Sequence, residues 1–264
     1  MCHINVLIKT NKKDYVEELI AATSSSYLIN RDGNGIFFSD DDSIIKNTNK
    51  IRLLPFREKI SRSFFVITHQ RLATSGMNEK FLHPFADRRW ILVHNGILNR
   101  SDERSDTAIF FMEFQKNYTN DVKDALEKAA EKCNGGSFSI FLYDKQERCG
   151  YYFKSSSTDI NVVRLIDESL FFSTSKNNLT FFDVKKEIEI VSKKLYRIRI
   201  LNEKPVIEML GKIKLPETYY KYYNWEVGGR NYNNNLRSSY NDVSDYRWKD
   251  QVASWEKEYG KTEG

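Results

Sequence analysis

The sequence predicts an α+β fold in which sheets stack in layers. Two patterns lead there. Helical spacing of apolar residues is concentrated in the first half of the chain, and the second half reads as a meander of short apolar strands. A third observation sets the scale. The chain has 264 residues, 40% of them hydrophobic and 17 of them phenylalanine, which is enough for one large domain, or one domain with an appendage, around a substantial core.

Residues 2–9 alternate loosely as a short strand. Residues 12–24 place Tyr15, Val16, Leu19 and Ile20 at helical spacing and predict an amphipathic helix. Asp32-Gly33 and Gly35 predict a turn that needs positive φ, after which Ile36-Phe37-Phe38 resumes a strand. The basic, polar residues 46–52 predict a surface connection. Phe64-Phe65-Val66-Ile67 and Trp90-Ile91-Leu92-Val93 are strand-like runs, and each ends on polar residues and a glycine. Residues 107–115 predict a helix with Ile109, Phe110 and Phe114 on one side. Thr119 or Asn120 caps a second helix over 121–132, ended by Asn134-Gly135-Gly136. Strands are predicted over 137–143, 150–154, 162–166, 170–173, 195–200 and 207–215.

The composition changes at Pro216, where about half of the 15 tyrosines fall in the last fifth of the chain beside an Asn run at Asn233-Asn234-Asn235. The expected division is a domain over 2–215 and a Tyr/Asn-rich tail over 216–264, too short for a core of its own. Trp248, Val252, Trp255 and Tyr259 predict an amphipathic helix near 245–259. Such a stripe either docks on its own domain, the commoner fate, or waits for a partner.

The net charge is +5 with a pI near 8.9, and the 41 basic and 36 acidic residues are interspersed, so there is no strong nucleic-acid signal. No apolar run approaches the ~18 residues of a membrane span. Lys9, Lys12 and Lys13 interrupt any signal-peptide core, and the expected location is cytoplasmic. Cys2, Cys133 and Cys149 are too few for a disulfide framework, and the last two read as packing residues. All four histidines, His3, His69, His83 and His94, lie in the first hundred residues, but no H-x-x-x-H or C-x-x-C spacing accompanies them. Neither a metal nor another cofactor is expected.

The residues that carry chemistry are Cys2 and a group between residues 63 and 107. Removal of Met1 would put a thiol and an α-amine on one residue, and an α-amine titrates near pH ~7.7–8.0. Such an amine can take the thiol proton near neutrality. Asn95 offers a side-chain NH2 and Gly96 an unobstructed backbone N–H, the two donors an oxyanion hole needs, although Asn-Gly is also a strong hairpin-turn signal. Arg71 can hold a carboxylate bidentately, and Asp106 can pair with an amine. A carboxylate clamp with an amine clamp describes an amino-acid substrate.

These residues stand in recognisable strings. Met1-Cys2 opens the chain, and His69-Gln70-Arg71-Leu72-Ala73-Thr74-Ser75-Gly76, His94-Asn95-Gly96-Ile97 and Ser105-Asp106-Thr107 follow in order. Together they resemble the class II glutamine amidotransferases, glutaminase domains of the N-terminal-nucleophile hydrolase superfamily. Weaker resemblances lie at Asn30 to Gly35, Gly136 to Ile140 and Leu170 to Ser175. The resemblance covers roughly residues 2–200. It implies a four-layer αββα sandwich with Cys2 as nucleophile, Asn95 and Gly96 as oxyanion donors, and Arg71, Thr74, Ser75 and Asp106 as substrate-binding residues. Asp102 rivals Asp106 for the substrate amine, and a helix N-terminal acid is the plainer reading of Asp106. His69 and His94 read as structural hydrogen bonders. His3 departs from the family, many of whose members have Gly there.

The implied reaction is hydrolysis of glutamine to glutamate and ammonia. Members usually pass the ammonia to a fused synthase domain. Here about 50 residues of tail are too few, so the expectation is a separate acceptor enzyme docking through the tail, or a stand-alone amidohydrolase. Two other classes stay open: another N-terminal-Cys amidohydrolase acting on γ-glutamyl or related amides, and a catalytically inactive binding scaffold.

Overall fold

A computed structural model describes residues 2–10, 13–72, 81–98, 105–133, 136–155, 158 and 160–216. The tail helix, Thr74, Ser75 and Asp102 lie outside the described residues. Two antiparallel sheets dominate. The first contains β1 (His3–Ile8), β2 (Asn34–Phe38), β3 (Ser43–Asn47), β4 (Phe65–Gln70), β9 (Asn161–Leu165), β10 (Leu170–Ser173) and β11 (Val184–Ile188). Its order is β11-β9-β10-β1-β4-β2-β3, so β1 sits at its centre. The second contains β5 (Phe85–Ala86), β6 (Trp90–Leu98), β7 (Gly136–Asp144), β8 (Cys149–Lys154), β12 (Lys194–Leu201) and β13 (Lys204–Lys212). Its order is β13-β12-β8-β7-β6-β5.

Strand alternation decides what each face buries. Ile4, Val6 and Ile8 on β1 join Ile67, Ile91, Val93, Phe141 and Phe172 in a core between the two sheets. Leu7, Ile36, Phe38 and Val66 point the other way, against Val16, Leu19 and Ala22 of α1 (Val16–Ile29) and Ile60 of α2 (Arg57–Arg62). On the far side, Trp90, Leu92, Phe138 and Ile140 pack on Phe110 and Phe114 of α3 (Asp106–Asn117) and Leu126 and Ala129 of α4 (Val122–Lys132). The described residues thus stack helix, sheet, sheet and helix. Rings close the middle core: Phe65 meets Tyr143 across the sheets at 4.8 Å between centroids. Each large apolar side chain so buried stabilises the fold by about 1.5–3 kcal/mol. Cys133 and Cys149 are buried and pack in the helix-covered core.

Several local expectations are corrected. The first helix begins at Val16 and runs to Ile29, four residues later than its apolar spacing suggested; Tyr15 precedes it at φ 56°. Its last turns bury small polar residues, Thr23 and Ser26, because the sheet beneath presents Asn5. Asp121, not Thr119 or Asn120, caps α4, accepting from the Lys123 and Asp124 N–H groups. Gly33 has positive φ as expected, but Gly35 lies within β2, where a Cβ would come 1.6 Å from the His83 carbonyl oxygen. Asn95-Gly96 is no hairpin turn: β6 continues through it to Leu98, paired with β7. The connection expected over 46–52 begins inside β3, and α2, β5 and β11 were not foreseen.

Candidate active site

Cys2 immediately precedes β1 and is half-buried. Strand β1 pairs with β4 as His3↔Gln70 and Ile4↔His69, and one further step of that register sets Cys2 opposite Arg71. The Cys2 thiol donates to the Leu72 carbonyl at 3.8 Å. Thr174 fixes the backbone: its Oγ1 accepts from the Ile4 N–H at 3.0 Å and donates to the Cys2 carbonyl at 3.4 Å. Arg71 is buried, and its backbone is pinned by donation to the Gly33 carbonyl at 2.8 Å and acceptance from the Asp32 N–H at 3.1 Å. Burial pushes the Cys2 thiol above its ordinary range; the Arg71 guanidinium opposes that rise and the Asp106 carboxylate reinforces it. Both charges therefore act on the sulfur.

Asn95 and Gly96 approach from the second sheet. Ile4 and Val93 both belong to the inter-sheet core, and alternation puts Cys2 and Asn95 on the same sides of their strands as these two residues. Asn95 is buried, and its Oδ1 has no partner among the described residues.

The pairing pattern of β6 explains the Gly96 amide. Phe138, opposite Gly96, turns both backbone groups toward Ser155: its carbonyl accepts from the Ser155 N–H at 2.9 Å, and its N–H donates to the Ser155 Oγ at 2.8 Å. An antiparallel strand turns the N–H and C=O of one residue to the same side, so Gly96 and Phe138 are a non-hydrogen-bonded pair. Gly96 therefore presents its amide on the other edge of β6, where β5 pairs only as far as Leu92. Side chains occupy that edge on either side of it. The His94 carbonyl accepts from His69 Nε2 at 3.3 Å, and the Leu98 N–H donates to Asp106 Oδ2 at 3.1 Å. Gly96 lies between them with φ 124°, and a Cβ there would be 2.1 Å from the Ser137 carbonyl oxygen.

Asp106 is the first residue of α3 and also accepts from the Thr107 N–H at 2.8 Å. Its structural and electrostatic roles coexist. Behind it, Thr107 Oγ1 meets His94 Nδ1 at 2.9 Å and His83 Nε2 at 3.1 Å, and the His83 ring lies 4.1 Å from that of His69. Burial depresses all three imidazoles, His69 to about 3, so they are neutral at neutral pH. His3 is likewise depressed by burial, to about 4. None of the four is a resting acid. Among the described residues no group of His, Cys, Asp and Glu is arranged to hold a metal ion, and no helix is long and apolar enough to cross a membrane.

The structure thus sets Arg71 and Asp106 near enough to act on the Cys2 sulfur, and it carries Asn95 and Gly96 on a strand of the facing sheet. Sequence reasoning missed Thr174, although it lies in the Leu170 to Ser175 segment singled out above, and missed Asn5. Asn5 lies on β1 itself, where its Nδ2 donates to Ser26, Thr68 and Gln70 and its Oδ1 accepts from Ser173 and Asn178. A lone Asn in an apolar strand was the available signal.

Comparison with known protein families finds no match, and no curated protein matches the sequence. Solved structures do match. One is glutamine phosphoribosylpyrophosphate (PRPP) amidotransferase from B. subtilis complexed with ADP and GMP, with a TM-score of 0.56 and 13% identity. The similarity covers 79% of this chain and 49% of that one. A structure described as the allosteric regulatory enzyme of purine biosynthesis matches with the same TM-score, identity and coverage. The matched region spans about half the length of these neighbours (49%), and at such identity the likeness is one of fold.

Proposed function

We propose that this protein is an N-terminal-cysteine glutaminase of the class II amidotransferase type, and that its stacked layers are the αββα sandwich of N-terminal-nucleophile hydrolases. The observation that carries the reading is the meeting of two sheets at one point. One brings Cys2 opposite Arg71, and the other brings Asn95 with a Gly96 amide that faces away from β7. The amidotransferase fold of the structural neighbours supports it independently of the sequence strings.

Burial keeps Cys2 a thiol at rest, so a base must take its proton during attack. After Met1 removal, the α-amine of Cys2 supplies that base. The sulfur attacks the side-chain carbonyl carbon of glutamine, forming a C–S bond. The oxygen takes up the negative charge and is held by Asn95 Nδ2 and the Gly96 N–H. The C–N bond then breaks, the amine's proton goes to the leaving nitrogen, and ammonia departs. Water adds to the thioester, releases glutamate and restores the thiol. Arg71 holds the α-carboxylate and Asp106 the α-amine, with Thr74 and Ser75 completing the substrate contacts. Residues 217–264 serve as a docking segment for a partner that takes up the ammonia. Deleting them abolishes that binding and spares glutamine hydrolysis.

The test is intact-protein mass before and after treatment with an electrophilic glutamine analogue. The expected result is a starting mass lacking Met1 and one adduct on Cys2. A protein lacking Met1 that forms no adduct would sink the glutaminase reading. In its place, cleavage of γ-glutamyl amides would indicate another amidohydrolase.

A further inference from the structure

The nucleophile and the oxyanion donors lie on different sheets, so the reaction proposed above depends on how those sheets are spaced. We propose that His69 is a positioning residue that sets this spacing through its bond to the His94 carbonyl; the inference rests on the glutaminase reading. His69 is opposite Ile4 on β4, in the first sheet, two residues before Arg71. His94 is on β6, in the second sheet, and its carbonyl belongs to the peptide group that continues into Asn95. Their bond, 3.3 Å from Nε2 to O, therefore runs from the strand beside Cys2 to the peptide beside the oxyanion donors. Elsewhere, Arg148 Nη2 to the Ser39 carbonyl and Arg164 Nη1 to the Pro205 carbonyl link the sheets at other strand ends, at 2.6 and 3.3 Å.

The proton positions follow from donor chemistry. A carbonyl can only accept, so His69 carries its hydrogen on Nε2. A carboxylate also only accepts, so the Thr107 hydroxyl, 3.3 Å from Asp106 Oδ1, donates to it. Thr107 Oγ1 then accepts from His94 Nδ1–H and His83 Nε2–H. The ring nitrogens left over, His83 Nδ1 and His94 Nε2, have no partner among the described residues, and in this arrangement they are bare acceptors. One consistent set of tautomers satisfies every N–H in the cluster. It holds His94 from both ends, at its carbonyl by His69 and at its ring by Thr107. His83 packs its ring on that of His69 and helps fix the direction of the donor.

The experiment compares His69→Phe with His69→Gln. Phe keeps a ring against His83 without the N–H, and Gln keeps an N–H donor of similar reach. Glutamine turnover is measured in both and again in an Asn95→Ala background, beside the rate of Cys2 alkylation by iodoacetamide. His69→Phe is expected to lower kcat at least ~10-fold with the alkylation rate nearly unchanged, because the thiol itself stays on the first sheet. His69→Gln restores most of that loss. With Asn95 already removed, His69→Phe costs little more. Should His69→Phe fail to fold, His69→Gln against the shorter His69→Asn makes the same comparison, with Gln active and Asn impaired. Unchanged kcat in a folded donor-less variant, or a loss fully additive with Asn95→Ala, overturns the inference while leaving the glutaminase reading intact. A wild-type protein that lacks Met1 and does not hydrolyse glutamine overturns both.

Discussion

Cys2 stands opposite Arg71, one residue beyond the last pair of the β1–β4 ladder, and the guanidinium acts on the thiol. Two effects of Arg71→Gln follow. On the proposed reading, losing a charged hydrogen bond to the substrate carboxylate costs about 1.5–3 kcal/mol, so KM for glutamine is expected to rise about 10–150-fold. The thiol also loses a group that lowers its pKa, so the midpoint of the pH profile for Cys2 alkylation moves upward. A midpoint that stays in place would mean that the charge does not reach the sulfur.

Asn95→Ala is expected to lower kcat by ~10²–10³, the usual loss for one oxyanion donor. Its effect on stability is small, because the amide oxygen has no described partner to lose. Steady-state kinetics beside a thermal melt separates the two. Full activity in this variant would remove Asn95 from the oxyanion site.

Gly96→Ala acts differently. The new Cβ would lie 2.1 Å from a backbone oxygen at a positive φ that L-residues rarely adopt. Strain of this kind costs on the order of 1–3 kcal/mol, with the clash in addition. Urea unfolding should show a clear loss of stability, whereas an unchanged midpoint would mean that the β6–β7 approach relaxes easily.

Asn5→Leu tests the buried network behind β1. Asn178 and Ser173 both bond Asn5 Oδ1, and each buried group left unsatisfied costs about 1–3 kcal/mol. The unfolding free energy from a urea titration should fall by an amount in that range. A neutral substitution would show that the remaining groups re-pair among themselves.

Acid should weaken the fold through its histidines. Folded His69 and His3 are depressed to about 3 and 4, and His83 and His94 are lowered as well, from an unfolded value near 6.5. The unfolded chain therefore binds more protons over this range, so stability is present above pH ~6.5 and is lost as pH falls toward 4. Each histidine contributes up to about 1.4 kcal/mol per pH unit. Unfolding free energies between pH 7 and 4 measure the slope, which should shrink by up to one proton in His69→Gln.

The legible parts of this molecule are those in which one strand or helix fixes its own pattern. The β1 and β10 strands and the Ile109–Phe110–Phe114 face of α3 follow from local periodicity. Strand β11 was missed because it is almost wholly exposed and charged, with no apolar face to read. The end of α1 was misplaced because its last turns bury the small polar Thr23 and Ser26, and Ser26 bonds Asn5 and Asn178 from elsewhere in the chain. Gly35 looked like a turn glycine, and its reason proved to be the His83 carbonyl, 48 positions away in sequence, packed against it.

By itself, the sequence determined the candidate residue types and their order: a cysteine at position 2, then Arg71, Asn95-Gly96 and Asp106. It also determined the alternation that lets each strand bury one face. Only the tertiary structure decided that Cys2 and Arg71 are cross-strand neighbours, and that the Gly96 amide escapes the β6–β7 ladder. It also decided that His69 bridges to the strand carrying Asn95. Those relationships depend on register and on the stacking of one sheet upon another. Both are set by contacts between residues far apart in the chain, which no local pattern encodes.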